Sequence, residues 1–183
     1  TLKEYVNQVG KRSDGYDRTP IEAAARNVHF EIVHYLIKHG ANAADNTPLV
    51  CACEKGRFED VKLLITGYND VNGSNGNNNN NMTLKEYVNQ VGKDSRGYEW
   101  TPLMMAARYE HFQIVKYLIE QGEADPNIAD SDYGYNALHN AARWNEKDTK
   151  VIELLLTNMP LNSINKKARR GYTPLDRAYD YNN

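Results

Sequence analysis

The sequence predicts an all-α solenoid, in which helix–turn–helix pairs stack side by side and are joined by hairpin loops. Three observations predict it. Residues 101–122, TPLMMAARYEHFQIVKYLIEQG, read as two short amphipathic helices around a tight turn. Related stretches occur at 19–40, 47–67 and 136–158, and a partial one at 173–183 holds only a first helix. A longer duplication overlies them: TLKEYVNQVGK at 1–11 returns unchanged at 83–93, and the same offset of 82 carries 27 identities across positions 1–40. One such pair cannot bury its apolar face alone, so the units are stable only when stacked.

The 101–122 unit shows how the chain encodes a pair. Thr101 caps the first helix with its hydroxyl, and Pro102 presets φ at the first helical position. Leu103, Ala106 and Ala107 then fall on one face, and two of the three are small enough for another helix to approach closely. Ile114, Val115, Leu118 and Ile119 mark the inward face of the second helix, with Gly122 where a left-handed C-cap is expected.

Taken in order, residues 1–11 open with Thr1 and Glu4 at capping-box spacing. Leu2, Tyr5, Val6 and Val9 follow at helical period, which predicts an extra amphipathic helix at 1–11 and again at 83–93. The pairs at 19–40 and 47–67 come next, separated only by ANAADN. GSNGNNNNN at 73–81 offers nothing to bury and predicts a flexible, low-complexity loop. The links 122–136 and 158–173 are polar and turn-rich, as protruding hairpins should be. All 183 residues are accordingly expected to form one array.

Composition narrows the function classes. A net charge of −2 argues against a nucleic-acid binder, which usually carries a clear excess of Lys and Arg. No apolar run approaches membrane-spanning length, so no membrane partner is expected. Two cysteines give no disulfide framework and point to a reducing, intracellular and cytoplasmic setting. Asparagine is the outlier, with 22 residues, five of them consecutive. The chain starts at Thr1 rather than Met and reads as a piece of something larger.

Catalytic and cofactor motifs are missing from the sequence, and the reading is of a protein that is not an enzyme and has no cofactor. There is no G-x-S-x-G, no phosphate-binding glycine loop and no His-Glu-x-x-His. Cys51 and Cys53 point about 200° apart on one helix, so they share neither a metal nor a disulfide. His29, His34 and His39 each rotate about 140° from the last and share no face. Asp125, Asp130 and Asp132 lack the glycine and terminal glutamate of a calcium loop and read as turn chemistry. Lys166-Lys167-Ala168-Arg169-Arg170 reads as a solvated hairpin.

These residues resemble the ankyrin repeat family. Thr101-Pro102-Leu103, Ala106-Ala107, His111, Ile114-Val115, Leu118-Ile119 and Gly122 match its pattern, and Asp125 and Asn127 follow. Asn136-Ala137-Leu138-His139, Ala141-Ala142 and Leu154-Leu155 match in the fourth unit, and Asp70-Val71-Asn72 ends the second. The family's motif histidine survives only at His139, so fewer bonds between units are expected from it. The 11-residue extra helix lies outside the pattern.

The resemblance implies a non-catalytic scaffold that binds a protein partner through its concave face and hairpins. In the family, the two residues after the Ala-Ala pair and the residue before each helix cap face that side. Here the third to fifth units place Trp100, Arg108, Tyr109, Tyr135, Arg143, Trp144, Tyr172 and Tyr181 there, types enriched in interface hot spots. The first two units present Arg26-Asn27 and Glu54-Lys55, so recognition is expected to lie in the C-terminal half. An alternative is a sensor of nucleotides or other phosphorylated ligands, with arginine on phosphate and an aromatic on a base. Self-association through an uncapped C-terminal end, with Leu175 and Ala178 partly exposed, is also expected.

Overall fold

A computed structural model describes residues 2–10, 18–42, 46–73, 82–144 and 148–181, with only the backbone at 69–73 and 180–181. The expected all-α solenoid is what the chain forms. An inner row of helices, α2 (Pro20–Arg26), α4 (Thr47–Glu54), α7 (Pro102–Arg108), α9 (Ala137–Trp144) and α12 (Pro174–Tyr181), packs in series. An outer row, α3 (Phe30–Lys38), α5 (Phe58–Gly73), α8 (Phe112–Glu120) and α10 (Lys150–Thr157), packs behind it. Two short helices, α1 (Leu2–Val6) and α6 (Leu84–Asn89), precede the duplicated units, and α11 (Leu161–Ile164) lies in the last link. Among the described residues, β1 (Gly92–Lys93) and β2 (Glu99–Trp100) form an antiparallel hairpin, with Gly92 opposite Trp100.

Local chemistry starts the helices where the sequence says. The Thr19 and Thr101 hydroxyls accept the backbone N–H of Glu22 and Met104 at 3.3 and 3.2 Å, and proline follows each cap. Ala24, Ala25, Ala52, Cys53, Ala106, Ala107 and Ala141 are buried between the rows, which is how inner helices come close enough to stack. The turn from inner to outer helix uses one left-handed residue, at Val28, Gly56 or Glu110.

Several expectations need correction. The second outer helix does not end at Gly67. It continues to Gly73, taking in Asp70-Val71-Asn72, because Tyr68 is drawn inward. The Tyr68 ring stacks on Tyr87 at 4.1 Å and its hydroxyl donates to the Met82 carbonyl at 2.7 Å. That tertiary contact outweighs the roughly 1 kcal/mol helix cost of a glycine. The 83–93 segment is helical only over Leu84–Asn89, because Gly92 and Lys93 pair with β2 instead.

Gly122 is not the left-handed residue. That conformation falls on Glu123, at φ 52°. Gly122 is required for close approach, since a Cβ there would sit 2.8 Å from the Leu118 carbonyl oxygen and 3.1 Å from Val88. The last link holds helix α11 rather than turns alone. The capping box is formed at Thr83 and Glu86, while Thr1 lies outside the described residues, as does the asparagine-rich stretch from 74 to 81.

Candidate functional site

The hairpin that carries Trp100 is fixed from three sides. The Lys93 N–H donates to the Thr47 hydroxyl at 3.2 Å, and the Ser95 N–H and hydroxyl both donate to Glu54 at 2.8 Å. Asp94, fully buried, accepts the N–H groups of Arg96 and Tyr98 at 2.9 Å each and so closes the turn. These contacts hold β1 along α4. Trp100 then sits at the end of β2, directly before the Thr101 cap.

Five of the expected residues come together there. Arg108 ends α7, and its guanidinium carbon lies 5.3 Å from the Trp100 ring, 5.7 Å from Tyr109 and 4.4 Å from Trp144. Arg143 lies 4.8 Å from the same Trp144 ring. Such cation–π contacts are worth about 0.5–1 kcal/mol when exposed and more when dry. Here they hold two long cations in place. Among the described residues no carboxylate lies within ion-pair distance of Arg108. The Trp100 indole nitrogen is buried and has no hydrogen-bond partner among them.

Tyr135 and Tyr172 form a second group rather than an extension of the first. Arg177 joins them, its guanidinium 4.8 Å from Tyr135 and 5.8 Å from Tyr172. Tyr133 stacks on Tyr135 at 5.6 Å, and His139 donates from Nε2 to the Tyr172 carbonyl at 3.2 Å. The Tyr181 side chain lies outside the described residues. Sequence reasoning missed Arg177 and Tyr133. Arg177 stands at the fifth position of TPLDRAYD, where the other units have Ala23, Cys51, Met105 and Asn140. A charge at that otherwise uncharged position was the available signal.

The first two units offer a different surface. Arg26 lies beside the hairpin turn, its guanidinium 3.3 Å from where a Cβ on Gly97 would stand, and Glu54 is taken up by Ser95 and Lys55. Burial acts to raise the Glu54 carboxyl, but bonds from Lys55 and Ser95 outweigh it and hold the group below the ordinary range. Burial pushes the Cys51 thiol up to about 12 and Cys53 well above its ordinary value, so both stay protonated fillers.

Two histidines tie neighbouring units together. Burial holds His139 below its ordinary value, opposed by its bond to Tyr172, and does the same to His111, opposed by its bond to the Glu54 carbonyl. The unfolded chain therefore takes up protons before the folded one. The stability this confers is fully present above the ordinary histidine value of 6.5 and is lost as pH falls below it. Glu54, lowered from 4.5, adds a further loss at lower pH in the same direction. Urea midpoints measured from about pH 7 to about pH 5 should fall steadily, and His139→Leu should flatten that slope. A midpoint that rises on acidification through this window would contradict the assignment.

Paired helices stacked in two rows define a helical repeat scaffold. The chain belongs to the ankyrin repeat family: the family model for ankyrin repeats (3 copies) matches residues 1–75 and again 74–167. It is 32% identical over 130 residues to Alpha-latrocrustotoxin-Lt1a of Latrodectus tredecimguttatus, covering 69% of this chain and 8% of that protein. Against the ankyrin repeat and KH domain-containing protein mask-1 of Caenorhabditis elegans it is 27% identical over 151 residues, 76% of this chain and 6% of the relative. Against the ankyrin repeat and SAM domain-containing protein 6 of Rattus norvegicus it is 30% identical over 114 residues, 62% and 10% respectively. The chain thus spans a tenth or less of these relatives. Ankyrin repeats are generally protein–protein interaction modules and non-catalytic. No described helix is long and apolar enough to cross a membrane.

Proposed function

We propose that this chain binds an acidic segment of a protein partner on the face formed by Trp100, Arg108, Tyr109, Arg143 and Trp144. One observation carries the reading. The Arg108 guanidinium is held against two indole rings, at 5.3 and 4.4 Å, with no ion-pairing carboxylate among the described residues. A partner carboxylate there would gain a charge-assisted bond to a cation whose side-chain freedom is already spent. The partly exposed Tyr109 beside it, 38% accessible, supplies apolar contact area. The nucleotide alternative has less support, because a base needs an open ring face and Arg108 and Arg143 both lie over Trp144.

The chain's two tryptophans both lie in this site, so intrinsic emission reports on it directly. Titrating a panel of acidic and basic peptides should shift tryptophan emission with acidic peptides only. Arg108→Ala should weaken that binding by roughly 30-fold, the effect of losing a hot spot of about 2 kcal/mol, while the melting temperature stays near the parent's. If melting falls steeply and peptide affinity does not change, these residues are structural and the assignment fails.

A further inference from the structure

Two arginines, not one, converge between the third and fourth units. The Arg108 guanidinium carbon lies 4.4 Å from the Trp144 ring, and that of Arg143 lies 4.8 Å from the same ring. Sharing a ring keeps the two cations inside the roughly 10 Å over which charges act on each other at ordinary ionic strength. Both side chains are half-buried, so salt screens their repulsion less than it would at an open surface. The neighbouring cations are answered by acids. Lys55, which follows α4 as Tyr109 follows α7, lies 2.9 Å from Glu54, and Arg96 of the hairpin lies 3.3 Å from Asp94. Neither Arg108 nor Arg143 has a carboxylate within ion-pair distance among the described residues. Acids are not scarce, since the chain has 24 of them against 22 lysines and arginines. The fold thus holds two like charges side by side on one ring, and their repulsion favours whatever anion relieves it.

A side-chain carboxylate brings one charge and two oxygens, and a single guanidinium fork satisfies it. Docked on Arg108, it leaves Arg143 uncompensated. A phosphate monoester brings a charge of about −1.5 to −2 and three acceptor oxygens, enough to bridge both forks. A guanidinium lying over a ring keeps its N–H groups in its own plane, where they reach past the ring edge to an acceptor. We infer, building on the acidic-segment reading, that the segment bound here is recognised through a phosphorylated side chain, with Arg108 and Arg143 both donating to its phosphate. A phosphodiester carries one charge per phosphate, so a nucleic-acid backbone fits the pair no better than a carboxylate does. Tyr109, 38% exposed beside Arg108, adds contact area that a peptide chain uses and a bare phosphate does not.

Three versions of one acidic peptide, alike except for serine, glutamate or phosphoserine at the central position, test this by tryptophan emission of the whole chain. The phosphoserine version should bind at least about tenfold more tightly than the glutamate version, the effect of one further charge-assisted bond. Arg143→Ala should bring those two versions to near parity. Arg143→Lys keeps the charge but loses the fork, and should retain only part of the preference. Free O-phosphoserine should displace the phosphopeptide only at far higher concentration. Equal affinity of the parent for the phosphoserine and glutamate versions would overturn the inference and leave the acidic-segment reading standing, whereas no binding by any of the three would overturn both. A preference that survives Arg143→Ala would remove the arginine pair from recognition. Free O-phosphoserine binding as tightly as the peptide would mark a small-ligand site instead of a peptide one, and would equally overturn the inference.

Discussion

Replacing Tyr87 with alanine is expected to cost about 3–4 kcal/mol of stability, while the same change at Tyr5 should cost less than about 0.5 kcal/mol. The two tyrosines occupy the same place in identical eleven-residue segments, so local propensity cannot distinguish them. Their surroundings can. Tyr87 is 1% exposed and its ring lies 4.1 Å from Tyr68, nearly parallel at 4°. Tyr5 is 68% exposed. Truncation at 87 leaves a void that the end of α5 and the start of α6 cannot both collapse into. It also removes a stacked pair worth about 0.5–1.5 kcal/mol beyond its burial. In a chain of this size the difference amounts to roughly 10 °C in melting temperature. Urea denaturation of the two variants makes the comparison. Equal losses at both positions would mean that α6 is not seated on α5. Amide exchange should localise the damage, with the last turns of α5 and the whole of α6 losing protection before the α7–α10 block.

That contrast also marks how far the sequence could be read. The helix pairs were legible because their determinants are local: a threonine cap, a proline after it, alanines at the close-packed positions and an apolar stripe on the outer helix. The five-residue cluster of Trp100, Arg108, Tyr109, Arg143 and Trp144 was legible because the family pattern says which positions follow the alanine pair. What escaped depends on contacts distant in sequence. The helix runs through Gly67 only because Tyr68 finds Tyr87. Gly122 was read as a conformational cap, but Val88 presses on it, and the left-handed residue moved to Glu123, one position on. Arg177 escaped because the pattern treats its position as packing, and only the fold shows that it reaches two tyrosines of neighbouring hairpins. Which of two identical segments is buried cannot be read from either segment.

Gly92→Ala is the second large effect expected, about 3 kcal/mol, and it connects the stacking to the site. A methyl group at position 92 would stand 2.5 Å from the carbonyl carbon of Asn46, 2.6 Å from its oxygen and 2.8 Å from the Thr47 nitrogen. All three are backbone atoms at the start of α4, and no rotamer change relieves the clash. The strand must lift off the helix, breaking the bond from the Lys93 N–H to the Thr47 hydroxyl and straining those from Ser95 to Glu54. Gly10 is the control, because a Cβ there meets nothing closer than the Arg18 carbonyl oxygen at 3.7 Å, and Gly10→Ala should change stability by less than about 0.5 kcal/mol. Because Gly92 pairs with Trp100 across the hairpin, lifting β1 also moves the indole that flanks Arg108. Gly92→Ala should therefore shift tryptophan emission in the folded state and weaken acidic-peptide binding, although position 92 touches no partner. A variant that loses stability while keeping parental emission and peptide affinity would show that the hairpin does not position Trp100.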